Sequence, residues 1–118
     1  MSTTPPPRSP WVGNAVIKSF SLGFEDHNIL TLWLNLDFGG SGQGFGGYNL
    51  ARRDINAAGI FIEGVLNVAG ARDISKLVGR TIRVRKESEW SSPIHEIGHI
   101  VDNVWLNPKA AFGQAEQK

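Results

Sequence analysis

From Val16 to Phe24 the chain alternates. Val16, Phe20, Leu22 and Phe24 share one parity, interrupted by Lys18, while Ser19, Ser21 and Gly23 take the other. A period of two marks a strand with one face against a core, because successive side chains project to opposite sides. Behind the polar connector Glu25-Asp26-His27-Asn28, the residues Leu30, Leu32, Leu34 and Leu36 alternate with Thr31, Trp33, Asn35 and Asp37. This predicts a second strand and a hairpin with a leucine face. Next comes Gly39-Gly40-Ser41-Gly42-Gln43-Gly44-Phe45-Gly46-Gly47-Tyr48, with six glycines in ten residues, and a third strand is expected to start near Gln43. Between Ile60 and Ala69 the period changes. Phe61, Ile62, Val65, Leu66, Val68 and Ala69 fall on one helical stripe, and Gly70 stands where a C-terminal cap belongs. A second, shorter helix is predicted from Asp73, a suitable N-cap, through Ile74, Leu77 and Val78 to a stop at Gly79. Alternation then returns in Thr81-Ile82-Arg83-Val84-Arg85, with Ile82 and Val84 inward and the arginines outward.

Each of these apolar stripes needs a partner layer, and the arrangement that supplies all of them is α+β. The expected fold is a single domain over residues 12–108. It has an antiparallel sheet of about five strands packed against one main helix and a short second helix. Residues 1–11 are Pro-rich, with nothing to bury, and read as a disordered tail. Residues 109–118 follow Asn107-Pro108, are rich in Ala, Gln and Lys, and read as a flexible, at most weakly helical tail.

Composition narrows the classes further. A chain of 118 residues has room for one core. Hydrophobic residues at 41% and charged residues at 19% exclude a largely disordered chain. A net charge of +1 lacks the basic footprint of a dedicated nucleic-acid binder, so nucleic acid is not expected as the primary partner. The absence of cysteine removes disulfides and thiolate metal sites and fits a reducing cytoplasm. No apolar run approaches a membrane span, and Met1 to Val12 contain nothing like the apolar core of a signal peptide, so a soluble cytoplasmic protein is expected.

One segment carries candidate chemistry. His95-Glu96-Ile97-Gly98-His99 spells HExxH, in which two histidines bind zinc and the glutamate activates water as general base. That chemistry requires a helix, whose rise of about 1.5 Å per residue and roughly 3.6 residues per turn put positions i and i+4 on one face. In a strand the two histidines stand about 13 Å apart. Ser92-Pro93 suits a helix start, and Ile94, Ile97, Val101 and Val104 have helical spacing. On the other side, the segment is rich in β-branched residues, Gly98 weakens a helix by about 1 kcal/mol, and Glu87 to Pro93 reads as a hairpin loop. The third ligand is also missing from the expected places. The positions that carry Gly and His in the metzincin pattern are Asp102 and Trp105 here, and Glu116 is the sole glutamate after His99. His27 and Asp102 stand in no zinc pattern. The favoured reading is a strand with no catalytic residue, no metal and no cofactor. The alternative is a minimal zinc hydrolase with Glu96 as base and His95 and His99 as ligands.

Leu22-Gly23-Phe24-Glu25-Asp26-His27 and the segment Gly39 to Tyr48 resemble a family of small uncharacterised proteins encoded by phages and prophages. Val78 to Arg85 resembles that family's lead into its last hairpin, and Ile97-Gly98-His99-Ile100 with Trp105 and Pro108 resembles its C-terminal signature. The likeness spans about residues 20–108. His95 and Glu96 fall outside it. It implies a phage or prophage accessory protein in the host cytoplasm, with a host-directed or anti-defence inhibitor as one specific version, and it brings no activity with it.

The glycine segment has no GxxxxGK[ST] pattern and leads into a strand, so it is not a P-loop. It either lets the backbone bend while Phe45 and Tyr48 pack, or offers a binding surface made of Trp33, Gln43, Phe45, Tyr48 and exposed amides. His27 can serve as an acid-base group, a ligand or plain turn chemistry. Arg80, Arg83, Arg85 and Lys86, joined by Arg52 and Arg53, form either a contact to phosphates or an acidic partner or a solvated strand face. The expected function is a non-enzymatic binding module. Its contact residues are Trp33, Gln43, Phe45, Tyr48, His27, Arg83 and Arg85, and its partner is a host or phage protein or a small-molecule ligand.

Overall fold

A computed structural model describes residues 11–25, 28–50, 55–87 and 92–116. Six strands form one sheet: β1 Trp11–Phe24, β2 Leu30–Asp37, β3 Gly42–Gly46, β4 Thr81–Lys86, β5 Ile94–Gly98 and β6 Trp105–Leu106. Their order is β3-β2-β1-β4-β5-β6, with every neighbouring pair antiparallel. Helices α1 (Ile55–Ala69) and α2 (Pro108–Glu116) complete the α+β fold.

The 14-residue β1 ties the sheet together by pairing with β4 from Trp11 to Val16 and with β2 from Val16 to Phe24. The register slips between Ile17 and Ser19, so Lys18 is the extra residue of a β-bulge. The slip explains the break in the alternation at Lys18. It also corrects the inward set: Ala15 and Ile17 are buried ahead of the bulge, and Val16 is only half-buried.

One face of the sheet carries the core. Leu32, Leu34 and Leu36 of β2, Ile82 and Val84 of β4 and Ile97 of β5 are buried on it together with Phe61, Val65 and Val68 of α1. The predicted leucine face is therefore covered by the predicted helix. Helix α1 begins at Ile55, five residues before the apolar stripe announces it, and stops where Gly70 takes φ +67°. There Ala71 N donates to Leu66 O, a Schellman-type closure that needs a left-handed residue.

Two expectations change. The predicted second helix from Asp73 is a single 3-10 turn over Ile74–Lys76, capped by Asp73 accepting from Ser75 N. It goes no further because Gly79 N already donates to Ile17 O and Ile17 N to Arg80 O, which commits the chain to the sheet. The segment read as a flexible tail from 109 is instead helical. Asn107 Oδ1 accepts from Ala110 N at 3.2 Å, and Pro108 opens the helix where its missing N–H costs nothing.

Phe112 fixes that helix. Its ring stacks on Phe61 with centroids 5.8 Å apart and meets Tyr48 edge-on at 5.3 Å, while Phe45 stacks on Phe61 from the other side at 6.0 Å. Phe61→Ala is expected to lower the unfolding free energy by about 3–5 kcal/mol in urea titration. Phe112→Ala is expected to cost about 3 kcal/mol; a loss below about 0.5 kcal/mol, typical of a surface site, would show α2 undocked.

Candidate functional site

Among the described residues helices cover one face of the sheet only, and the outward-pointing residues form the opposite, open face. Directly paired residues share a face in an antiparallel sheet, which makes the outer rows readable from the register. One row runs Gly44, Asn35, Ser19, and the next Gly46, Trp33, Ser21. On the other half Asn14, Arg83, Gly98 and Trp105 form a row beside Val12, Arg85 and Glu96. A tryptophan stands near each end.

The Trp105 end is closed. A Cβ on Gly98 would collide with the Trp105 ring, so the indole lies flat against the bare backbone of β5. Its outer side is covered by Arg83 and Arg85, whose guanidinium carbons sit 4.7 and 4.1 Å from the ring centre. Arg83 also donates to His99 O at 2.6 Å and Asp102 O at 2.8 Å, and Arg85 forms an ion pair with Glu96. These arginines, expected as partner contacts, are occupied in holding Trp105.

Residues 94–98, which carry His95, Glu96, Ile97 and Gly98 of the HExxH segment, form the strand β5. Glu96 points to the open face, where it meets Arg85, and Ile97 points into the core. His95 Nε2 lies 3.3 Å from Asn107 Nδ2. His99 lies just beyond the strand, and its Nδ1 accepts from the N–H groups of Val101 and Asp102 at 3.1 and 3.0 Å. A strand separates what a helix would bring together. Among the described residues no three His, Cys, Asp or Glu side chains converge on a point that could hold a metal ion.

The Trp33 end is open. Trp33 likewise lies across a glycine: a Cβ on Gly44 would collide with its ring, and one on Gly47 would crowd it at 3.1 Å. Trp33 Nε1 donates to Asn35 Oδ1 at 2.9 Å, and Asn35 Nδ2 donates to Ser19 Oγ at 2.8 Å, a chain that fixes the indole's orientation. No arginine caps this ring among the described residues, and Trp33 is 38% exposed. Beside it the β2–β3 connection shapes a groove of about 510 Å³, lined by Lys18, Asn35, Asp37, Ser41, Gln43 and the glycine backbone.

Electrostatics organise that groove. Asp37 Oδ1 accepts from Gly39 N at 3.0 Å and Gly40 N at 3.4 Å, and Lys18 Nζ lies 3.9 Å from Asp37 Oδ2. The two backbone hydrogen bonds, aided by Lys18, hold the Asp37 carboxyl below its ordinary 3.8. The groove is thus polar with its charges balanced.

The remaining predicted contacts distribute differently. Phe45 is 3% exposed and belongs to the core, and Tyr48 is half-buried among Phe45, Phe61 and Phe112; neither lies on the open face. Burial raises the Tyr48 pKa. Gln43 pairs with Leu36 and donates to Ser92 O at 3.4 Å while lining the groove. Lys86, grouped by sequence with a solvated strand face, is 2% exposed, with Nζ 4.9 and 4.4 Å from the Trp11 and Phe38 rings, and burial lowers its pKa. His27, Arg52 and Arg53 lie outside the described residues. Lys18, Asn35 and Asp37 escaped the sequence reading. The available signal was an outward-parity tryptophan two residues from an outward asparagine, opposite a strand of alternating glycines. Among the described residues no helix is long and apolar enough to cross a membrane. Comparison with protein-family models, curated proteins and solved structures finds no match to this chain.

Two outcomes follow from this geometry. The folded Asp37 pKa is lowered, so the Asp37-closed loop is fully favoured above 3.8 and is lost as pH falls through the lowered value. The amide proton shifts of Gly39 and Gly40 in NMR should titrate together with a midpoint below 3.8. Gly44→Ala should dislodge the indole, change the near-UV circular dichroism and cost about 1–3 kcal/mol, as overpacking does.

Proposed function

We propose that the protein is a binding module that captures a neutral, polyhydroxylated ring on Trp33 and in the adjoining groove. The observation that carries this reading is the Trp33 indole, held flat over Gly44 and Gly47, fixed by Asn35 and left open on its outer side. A flat aromatic surface with one free face is a stacking platform, and its rigidity limits the entropy lost on binding. The groove volume lies within the range of small-ligand sites. Its lining of the Asn35 carboxamide, a carboxylate, a hydroxyl and backbone groups matches hydroxyls, which both donate and accept.

Charge favours a neutral ligand. Among the described residues, Lys18 is paired with Asp37, and Arg83 and Arg85 are engaged by Trp105 and its neighbours, so these cations are not surplus for a phosphate. The resemblance of residues 20–108 to small phage-encoded proteins supports an accessory role in a host cytoplasm. The ligand would then be a host or phage sugar, free or displayed on a macromolecule.

The test is an NMR titration of the full chain with a panel of soluble mono- and oligosaccharides, with nucleosides as the comparison set. A saccharide of the panel should shift the Trp33 indole N–H and the amides of Gly39 to Gly44, and Trp33→Ala should weaken binding at least about tenfold, the scale of one lost stacking contact, without unfolding the domain. Binding that persists unchanged in Trp33→Ala, a preference for nucleosides, or no response of the Trp33 indole to any saccharide would overturn the reading.

A further inference from the structure

The β1–β2 hairpin extends past the rest of the sheet as an arm, and its two edges are treated differently. Along β2 the outer edge stays covered, because Gly47 N donates to Leu32 O and Leu50 N to Leu30 O. Along β1 the pairing with β4 ends at Val16, and Ile17 closes it through Gly79 and Arg80. From Ser19 to Phe24 no strand among the described residues lies on that side. This stretch contains no proline and no charged residue, the usual devices that keep an edge from pairing.

The same stretch carries an unfinished apolar stripe on the helix-bearing face. Phe20 packs against the core, whereas Leu22 is 44% and Phe24 72% exposed. A free edge and an exposed stripe on one strand call for an occupant that supplies both backbone bonds and alternating apolar side chains.

We infer that the occupant is a second copy of this chain, with the two Ser19–Phe24 edges pairing antiparallel about a two-fold axis at Leu22. That register is self-complementary: Leu22 faces the partner's Leu22, Phe20 faces the partner's Phe24, and Ser21 faces the partner's Gly23. All large apolar side chains then fall on the core face and all small polar ones on the other. Trp33 lies on the other face, so the association leaves the proposed ligand site open.

Sedimentation equilibrium on the full chain between about 1 μM and 1 mM, the range of weak interfaces, tests this inference. The wild type should move from 12.9 kDa toward twice that mass. Leu22→Lys and Leu22→Glu should each remain monomeric with unchanged circular dichroism, because like charges then meet on the axis. Mixing the two variants should restore the dimer, a result that only a register placing residue 22 opposite itself can give. A wild type that stays monomeric, variants that associate as the wild type does, or a mixture that stays monomeric would each overturn the inference. Trp33→Ala should leave the association constant unchanged, so this result stands or falls separately from the ligand site.

Discussion

One-sided burial organises this protein. Six strands share one core, formed where the leucines of β2, Ile82, Val84 and Ile97 meet Phe61, Val65 and Val68 of α1. Removing that apolar surface from water is the main favourable term in folding. Both helices lie on the core side, so the opposite face must be finished by its own side chains. The chain does this by laying indoles flat on bare backbone: Trp33 across Gly44 and Trp105 across Gly98, with Trp11 folded over Gly13 on the core side. A glycine in a strand gives up side-chain packing. An aromatic neighbour recovers that packing from across the strand pair.

The two ends of the open face use this device to different effect. At the Trp105 end, Arg83 and Arg85 seal the indole, Glu96 balances Arg85, and Gly98 makes room for the ring. Glu96 and Gly98 of the HExxH segment thus each have a task in the strand. At the Trp33 end the indole is equally fixed, no arginine among the described residues caps it, and the Asp37-closed loop sets a balanced polar groove beside it.

The bulge at Lys18 links these features to the arm. It ends the regular pairing of β1, turns Lys18 toward Asp37, and lets the second half of the strand present Leu22 and Phe24 beside a free edge. A single extra residue therefore separates two halves of one strand: the first pairs with β4, and the second pairs with β2.

The legible part of this protein was local. Alternation in β2 and β4, the α1 stripe with its Gly70 stop and the capping Asp73 depend on near neighbours in the chain, so the α+β class and the leucine face could be read directly. Residues 94–98 carry both helical spacing and β-branched residues. Only pairing with β4 and β6, non-local partners, made them a strand. Phe45 is an aromatic among glycines, and its register opposite Leu34 sent it inward. Lys86 looked like surface charge until the Trp11 and Phe38 rings enclosed it. Residues from 109 onward looked like a tail because a single aromatic, Phe112, supplies their docking, and its partners Phe61 and Tyr48 are distant in sequence. Periodicity determines which residues can share a face. Which face is covered, and by what, is a property of the assembled layers.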